Sequence, residues 1–556
     1  MTRKVDRLGQ WDGRKVSSRH EQPFYKRLAQ PDVLLRLAVV AATVLIVTAL
    51  PLYLGAPIPY KEGHVYDHDV KARVEFDYTD PPSPLVEHFA RGVILVPQRT
   101  PITDRQFDLL RHERRTFLAE LPASDLISRG LARFLIFLLL AGSVVLYTAR
   151  FQASLAQSLA MIAGVCVLIL LTATLGLVLQ ASPWHAVLVP LTVTAMILTL
   201  AYNPQFALMM SFCLVLSLGL ILGLGIEDLL IQSGGLGAAI LLLRHVRTRT
   251  QLVQVATIAG LVYAAMTVAC GLLTQQDWTM IGYDAFRNFL WSCMAGFILT
   301  GILPFVERSF NIVTDIRLLE LADGSHPLLQ ELVKRAPGTY THSITVATLA
   351  ETAAEAIGAN PLLVRVGSYF HDIGKMLKPQ YFIENQGGEN RHDELEPALS
   401  TLVIIGHVKD GLALGEEYRL PRPVLDFIAQ HHGTTLVEYF YREAMKIQEK
   451  TGHPHVDLEA CFRYPGPKPQ SRENSLVMLA DACESTSRSL AHPTPASLQK
   501  LVHDMLMKRL LDGQFEESGL TLTELHLIEE SLTKSLIALF HARIRYPDEE
   551  ETDKVA

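Results

Sequence analysis

The chain has 556 residues, of which 49% are hydrophobic and 19% are charged, and its formal net charge is −7. Soluble domains usually carry about 25% charged residues, and the apolar excess here is concentrated in the first 305 positions. This asymmetry excludes a single soluble domain, a disordered chain and a secreted disulfide scaffold. The acidic balance gives no support to a nucleic-acid-binding protein, and the spacing of the six cysteines indicates neither disulfides nor a CxxC zinc site.

The first apolar run, at 37–54, follows a basic N-terminus and approaches the roughly 20 residues that cross a bilayer. The preceding leader is too long for a signal peptide and no small-residue cleavage site follows, so we predict an uncleaved anchor. A polar segment of about 75 residues comes next. Its alternating stretches at 71–76 and 92–96 are typical of short strands, prolines 82, 83 and 85 separate them, and the charged stretch at 104–121 predicts a helix.

Seven further apolar runs predict seven membrane helices, because a helix satisfies its own backbone groups in lipid. Their limits are 132–148, 159–179, 186–201, 206–225, 229–243, 252–273 and 289–306. The run at 229–243 is short, and Gly234 and Gly235 weaken it as a helix. Few charged residues lie in mid-span, which favours an anchor and a bundle over a transport path.

The orientation of these spans follows from the basic residues of the short loops. The loop at 244–249 contains three arginines, whereas the loops at 180–185, 226–228 and 275–283 contain no Lys or Arg. With the basic N-terminus inside, a count of eight spans places the polar insert outside and the C-terminal half in the cytoplasm. We therefore expect a multi-pass protein of the cell inner or plasma membrane.

From Val306 onward the sequence is amphipathic and helical, with breaks at Pro327, Pro337, Pro361, Pro421 and the proline cluster at 465–469. The predicted fold class is therefore all-α: a polytopic helical bundle of one anchor plus seven spans, then an all-α domain, with a small α+β insert. The predicted segments are a basic N-terminus (1–36), the anchor (37–54), the extracytoplasmic segment (55–130), the bundle (131–306), a helical linker (307–335), a cytoplasmic all-α domain (336–540) and an acidic tail (541–556).

Five histidines and two aspartates fall at apolar helical positions of the C-terminal half. They are His342, the adjacent His371 and Asp372 in YFHDIGK, His407, the adjacent His431 and His432, and Asp481. Buried polar groups need partners to offset the loss of hydration, and one metal ion can be the partner of several such groups at once. Imidazole with carboxylate suits Fe, Mn, Zn or similar ions, and seven ligands are too many for one ion. A carboxylate in an adjacent His-Asp pair can bridge two ions, the usual arrangement for phosphodiester hydrolysis.

This pattern resembles the HD phosphohydrolase superfamily. Three stretches make it more similar to the seven-transmembrane HD proteins of the PgpH type, which hydrolyse cyclic di-AMP: APGTYTHS at 336–343, IAQHHGTT at 428–435 and FRYPGPKPQ at 462–470. Together with the membrane architecture, the resemblance covers roughly residues 130 to 535. It departs from that family in one respect, since the extracytoplasmic segment is much shorter here.

The resemblance implies roles for individual residues. His342, His371, Asp372 and Asp481 would hold one divalent metal ion, and His407, His431 and His432 a second, with Asp372 bridging; Fe or Mn is expected. Asp372 and Lys375 would be catalytic, with the Lys375 ammonium directed at the substrate phosphate. Arg463 and Lys468 would contact the substrate. For the stretches 384–386 and 434–435, substrate contact and local capping both remain open.

The predicted function is a membrane-bound, metal-dependent phosphodiesterase that converts cyclic di-AMP to pApA. The alternatives are a catalytically inactive HD receptor or signalling module, and a phosphodiesterase of another cyclic dinucleotide. An HD-GYP enzyme would carry Gly-Tyr-Pro after its His-His pair, where this chain reads GTTLVEY at 433–439. A simpler HD triphosphohydrolase would not need His407, His431 and His432. The expected partners are a cyclic dinucleotide and the lipid bilayer but no nucleic-acid polymer; homodimerisation and regulation by the membrane part are left open.

Overall fold

The computed structural model describes residues 30–55, 58–79, 86–181, 184–243, 246–310, 312–388, 390–451, 459–490 and 493–541. The basic N-terminus before residue 30, prolines 82, 83 and 85 and the acidic tail beyond residue 541 lie outside these ranges. The chain divides into two compact units, one of residues 1–244 with 250–306 and one of residues 245–249 with 307–556. All six cysteines are free.

The first unit is built mainly from long apolar helices. In chain order its described helices are α1 (Pro31–Leu54), α2 (Asp104–Glu120), α3 (Ala123–Phe151), α4 (Ala153–Gln157), α5 (Leu159–Leu179), α6 (Leu188–Ala201), α7 (Pro204–Leu222), α8 (Ile226–Leu242), α9 (Arg249–Leu273) and α10 (Trp278–Phe310). Each of the eight predicted apolar runs falls mainly within one of these helices. By length and composition, α1, α3, α5, α7, α9 and α10 can each cross a membrane.

The two shorter helices of the bundle, α6 and α8, differ in how they pack: α6 is buried on all sides, whereas α8 packs closely on α9 through a glycine. Nearly every side chain of α6 is buried, as expected of a helix that is apolar on all sides. Helix α8 continues through Gly234 and Gly235, so this pair does not interrupt it. A Cβ on Gly235 would lie 2.3 Å from the ring of Tyr263. The glycine therefore permits close packing against α9 rather than ending the helix.

The insert is a small α+β fold, as predicted. Strand β1 (Val70–Lys71) pairs antiparallel with β4 (Ile94–Val96), and β2 (Phe76–Thr79) with β3 (Val86–Phe89). The predicted single strand at 71–76 is instead divided between β1 and β2. Glu113 of α2 explains the break, because its carboxylate accepts from the Arg73 backbone N at 2.9 Å and pairs with the Arg73 guanidinium at 2.6 Å.

The second unit is all-α in its described residues, as predicted, apart from one isolated β-bridge between Leu436 and Arg463. Its helices are α11 (Asp315–Leu321), α12 (Pro327–Arg335), α13 (Pro337–Ala356), α14 (Pro361–Phe370), α15 (Pro397–Glu417), α16 (Arg422–Gln430), α17 (Glu438–Thr451), α18 (Arg472–Ser487), α19 (Pro495–Leu511) and α20 (Leu522–His541). Short 3₁₀ turns fill much of the connection between α14 and α15. Several helices begin with proline, whose missing N–H is not needed at a first turn.

Helices α14 and α18 pack on each other and on both α13 and α16, and α15 packs on α16 and on the 3₁₀ turn at 373–377. Two apolar clusters support this arrangement, one centred on α13, α18 and α20 and one on α12, α14 and α16. Helix α15 is long and apolar enough to meet the length and composition criteria for a membrane span. It nevertheless belongs to this second unit and carries His407.

Candidate metal centre

The seven predicted ligand residues come from five helices or helix ends and converge on one place. His342 lies on α13, His407 on α15 and Asp481 on α18, while His371 with Asp372 directly follows α14 and His431 with His432 directly follows α16. All are buried except His432, which is partly exposed. The helix packing therefore gathers side chains that are up to 139 positions apart in sequence.

These residues form two groups. Within each group, the potential ligand atoms lie within 4.8 Å of one another. The first group is His342, His371, Asp372 and Asp481. The second group is Asp372, His407, His431 and His432. Imidazole nitrogens and carboxylate oxygens in sets of four are suitable ligands for divalent transition-metal ions.

Asp372 belongs to both groups, and its two carboxylate oxygens face different ones. Oδ2 lies 3.2 Å from His371 Nε2 and 3.5 Å from His342 Nε2. Oδ1 lies 3.3 Å from His407 Nε2 and 3.5 Å from His431 Nε2. One carboxylate thus offers a separate oxygen to each group, which is the geometry of a bridging ligand.

Backbone carbonyls orient three of the imidazoles. Nδ1 of His371 lies 2.7 Å from the Ser368 carbonyl oxygen, and Nδ1 of His407 lies 2.6 Å from that of Ile404. Nδ1 of His431 lies 3.0 Å from the carbonyls of two residues in the preceding helical turn. A carbonyl only accepts hydrogen bonds, so each Nδ1 must donate, which leaves Nε2 as the free nitrogen of the neutral ring. In all three residues Nε2 faces Asp372.

A buried carboxylate orients the fourth imidazole, that of His342. Its Nδ1 donates to Glu484 Oε2 at 2.6 Å, and its Nε2 lies 3.1 Å from Asp481 Oδ1. Glu484 is held in turn by the Arg488 Nε, 2.7 Å away. Carboxylates that fix a ligating histidine in this way are common around metal sites. Sequence reasoning missed Glu484, although its position three residues after Asp481 on one helix face was a usable signal.

The charges of the centre keep its carboxylates ionised. Burial acts to raise the pKa of Asp372, but the Lys375 ammonium, 2.6 Å from Oδ2, helps to hold it well below the usual range. Burial acts to lower the pKa of His342, but the adjacent Asp481 and Glu484 raise it to about 10. The pKa of Asp481 is lowered because hydrogen bonding and the charge of His342 outweigh its burial. Ionised carboxylates are the form that binds metal, whereas His342 must lose a proton before its Nε2 can bind one.

Lys375 lies beside the shared carboxylate. Its Nζ is 2.6 Å from Asp372 Oδ2 and 3.1 Å from Glu384 Oε1. Glu384 also accepts from the Thr339 hydroxyl at 3.0 Å, and Asn385 Oδ1 accepts from the backbone N of Gly338 at 3.0 Å. The 384–385 pair therefore ties the start of α13 to Lys375, so these two residues make local contacts of the kind that the sequence left open.

Arg463 and Lys468 lie in the loop before α18, and both are ion-paired. Arg463 forms a two-point contact with Asp512, at 2.9 and 3.1 Å, and also donates to the Thr434 carbonyl at 2.8 Å. Lys468 Nζ lies 2.9 Å from Glu516 Oε2. Neither residue belongs to the two groups around Asp372. Their substrate contacts remain predictions.

Tyr464, between these two basic residues, does reach the centre. Its ring stacks on that of His432 with centroids 4.3 Å apart, and it is almost fully buried. No feature of the sequence around Tyr464 marked it as part of the centre. Thr434, for its part, is held by Gln514, whose Oε1 accepts from the Thr434 backbone N at 3.0 Å.

The donor set fits a metal site. Among the described residues, both oxygens of Asp372 and the Nε2 atoms of His342 and His371 are buried without a hydrogen bond of acceptable geometry. Buried atoms that lack such hydrogen bonds are costly, and two bound metal ions, one in each group, would satisfy them. The membrane helices and these paired groups together define a multi-pass membrane protein with an all-helical His/Asp domain suited to divalent metal ions.

Family models match both parts of the chain. A model described as "7TM receptor with intracellular HD hydrolase" matches residues 127–314, and the HD domain model matches residues 339–486. The membrane part of the chain is thus similar to the first of these families, and its C-terminal part to the second. HD domains bind divalent metal ions, in agreement with the two groups around Asp372.

Individual relatives confirm the resemblance to the PgpH type. The chain is 37% identical over 380 residues to "Cyclic-di-AMP phosphodiesterase PgpH" of Bacillus subtilis, covering 66% of this chain and 52% of the relative. It is 37% identical over 375 residues to the protein of the same name from Listeria monocytogenes, covering 66% and 51%. The chain thus spans about half the length of these relatives. The crystal structure of the L. monocytogenes PgpH HD domain in complex with cyclic-di-AMP shares 45% identity over 40% of this chain and 100% of that one, with a TM-score of 0.37.

Proposed function

We propose that this protein is a membrane-bound, metal-dependent phosphodiesterase that opens cyclic di-AMP to the linear dinucleotide pApA. The observation that carries the proposal is the carboxylate of Asp372, whose two oxygens face two separate groups of ligand atoms. Two adjacent ions sharing a ligand are the usual centre for phosphodiester hydrolysis. The substrate is proposed from the names of the relatives and from the three motifs that resemble their type.

Two divalent ions, Fe or Mn, would be held by the two groups, with Asp372 as the shared ligand. When bound, such ions lower the pKa of water and neutralise charge that develops on a phosphate. In the reaction, water would add to one phosphorus and the bond from that phosphorus to a 3′-oxygen would break. The ring opens, leaving a 5′-phosphate and a free 3′-hydroxyl.

The chain's own residues would position the ligands and the substrate. Lys375 has a buried ammonium group at the edge of the centre, where it would pair with a substrate phosphate oxygen. Glu384, 3.1 Å from Lys375 Nζ, would hold that ammonium in place. Arg463 would act chiefly by fixing the 462–470 loop, because its guanidinium is engaged by Asp512. Lys468, which is partly exposed, would meet a phosphate after leaving Glu516.

We further propose that the HD domain lies in the cytoplasm and the α+β insert outside, in the inner or plasma membrane. This orientation rests on the loop charges, since the loops beside the insert carry no Lys or Arg. It would place the active site in the compartment of a cytoplasmic second messenger.

The test is hydrolysis by the full chain, purified in detergent and supplied with Mn²⁺ or Fe²⁺. Cyclic di-AMP, cyclic di-GMP and cGAMP are offered separately, and products are separated by chromatography. We expect pApA from wild type and from Asp504→Ala, an exposed aspartate on α19, but none from Asp372→Ala. No hydrolysis by metal-loaded wild type, with Asp372→Ala indistinguishable from it, would refute the proposed enzyme activity and leave an inactive signalling module. Faster turnover of cyclic di-GMP than of cyclic di-AMP would refute the proposal that cyclic di-AMP is the substrate.

A further inference from the structure

A small polar cavity lies within the first unit, far along the chain from the metal centre. The segment that follows α1 meets the end of α5 and the starts of α8 and α10 there. Its charged lining consists of Lys61, Asp228, Asp284 and Arg287. The cavity has a volume of about 40 Å³ available to the centres of water-sized molecules, which is room for about three waters.

The four charges of this lining balance one another in close pairs. Lys61 Nζ lies 2.7 Å from Asp228 Oδ1, and Arg287 Nη2 lies 2.8 Å from Asp284 Oδ1. The second oxygen of Asp284 lies 2.8 Å from His64 Nε2. A further histidine of the lining, His185, adds no charge near neutral pH, because burial and the neighbouring Arg287 lower its pKa to about 4.

Several polar atoms around the cavity lack a hydrogen bond of acceptable geometry among the described residues. They are Gln180 Oε1, His185 Nδ1, Gln232 Oε1, Arg287 Nε and Asp284 Oδ1, the last of which contacts Arg287 Nη2 as an ion pair only. Gln232 and Asp284 are only 7% and 8% exposed. Buried polar groups in native proteins almost always have partners, so these atoms are available to a polar ligand or to water in the cavity.

The chemistry of the unpaired atoms defines that ligand. Three of them are oxygens that can only accept, so the ligand must present several N–H donors. Arg287 Nε and the remaining Lys61 donors call for an anionic group as well. A ligand with a net charge would upset the balance of a buried, already neutral set, which is costly in a medium of low dielectric constant. We propose that this cavity binds a small zwitterion of the size of glycine or alanine, with its ammonium at Gln232 and Asp284 and its carboxylate at Lys61 and Arg287.

The test is isothermal titration calorimetry of the full chain in detergent with glycine and L-alanine, and separately with methylammonium and acetate. We expect saturable binding of one of the amino acids, with methylammonium and acetate each at least about tenfold weaker. Gln232→Leu, which removes an unpaired acceptor and leaves both ion pairs, should weaken amino-acid binding at least about tenfold. Gln180→Leu is a second variant with the same expectation.

Gln254→Leu is the matched control, because Gln254 lies on an exposed face of α9. It should bind the amino acid as wild type does. Three results would overturn the proposal: no saturable binding up to about 10 mM, methylammonium binding as tightly as glycine, or equal losses in the Gln254 and Gln232 variants. The first would mean that water alone fills the cavity, and the second that only a cation is recognised.

Discussion

Replacement of Gly374 by alanine should damage the metal centre without touching a ligand. A Cβ at this position would lie 1.9 Å from the carbonyl oxygen of His407 and 2.5 Å from the backbone N of Gly411. Both are backbone atoms of α15, so no side-chain rotation can relieve the contact. Normal contact distances require α15 to move away by about 1 Å or more, and overpacking of this kind costs about 1–3 kcal/mol of stability.

That movement would carry His407 away from Asp372, whose Oδ1 now lies 3.3 Å from His407 Nε2. A misplacement of about 1 Å in a catalytic site can lower the rate about 100-fold. We therefore expect Gly374→Ala to lower the rate of cyclic di-AMP hydrolysis by about two orders of magnitude. The assay is the initial rate at several Mn²⁺ concentrations, with metal content measured on the same samples and folding followed by thermal unfolding.

Gly406→Ala is the matched control for this experiment. Gly406 directly precedes His407 on the same helix, but an added Cβ there would have no neighbour within 4 Å. Alanine should therefore keep the activity and gain up to about 1 kcal/mol of helix stability. A folded Gly374→Ala variant with a rate within about threefold of wild type would refute the reasoning, because the close approach would then not control the distance between Asp372 and His407.

Three further outcomes are expected. Glu484→Ala should lower the metal affinity about 10- to 100-fold, because it releases His342. Glu416→Gln, at an exposed position of α15, should leave the affinity unchanged. Affinities are measured by chelator competition, and equal values for the two variants would contradict the role of Glu484. Removal of metal with EDTA should abolish hydrolysis and lower the unfolding temperature, and added Mn²⁺ or Fe²⁺ should restore both; full activity after verified metal removal would exclude the proposed chemistry. Arg463→Gln should lower the free energy of unfolding by about 1 kcal/mol, because it breaks the contact with Asp512. Denaturant unfolding measures this change. A raised KM with unchanged stability would instead indicate that Arg463 contacts the substrate directly.

The order of helices and the candidate ligands could be predicted because both depend on local patterns. Apolar runs of membrane length are visible in the sequence alone, and His or Asp within apolar helical sequence is unusual enough to notice. Features that depend on tertiary contact could not be predicted in this way. The bend at Arg73 exists because Glu113 of a later helix binds it, and Gly235 is tolerated in α8 because Tyr263 of α9 packs there.

The same distinction applies within the site. Glu484 and Tyr464 have ordinary positions in the sequence, and only the packing of α18 and its preceding loop shows that they contact His342 and His432. Arg463 had the charge expected of a phosphate contact, yet Asp512, 49 residues later, engages it. The sequence therefore shows which residues are charged, but it does not show which residue each of them pairs with in the folded protein.

The hydrogen bonds from His371, His407 and His431 to carbonyls of their own preceding turns have a thermodynamic consequence. The imidazoles give up their rotational freedom when the helices fold, so metal binding does not have to order them again. Folding and metal affinity are therefore linked. If the last turn of α14 or α16 frays, a ligand histidine loses its position, and the effect on metal binding is the same as that of substituting the histidine. Conversely, an ion that binds only the folded chain adds to its stability in proportion to the logarithm of the metal concentration. In a cell, the supply of metal would influence the stability of the folded domain as well as its activity.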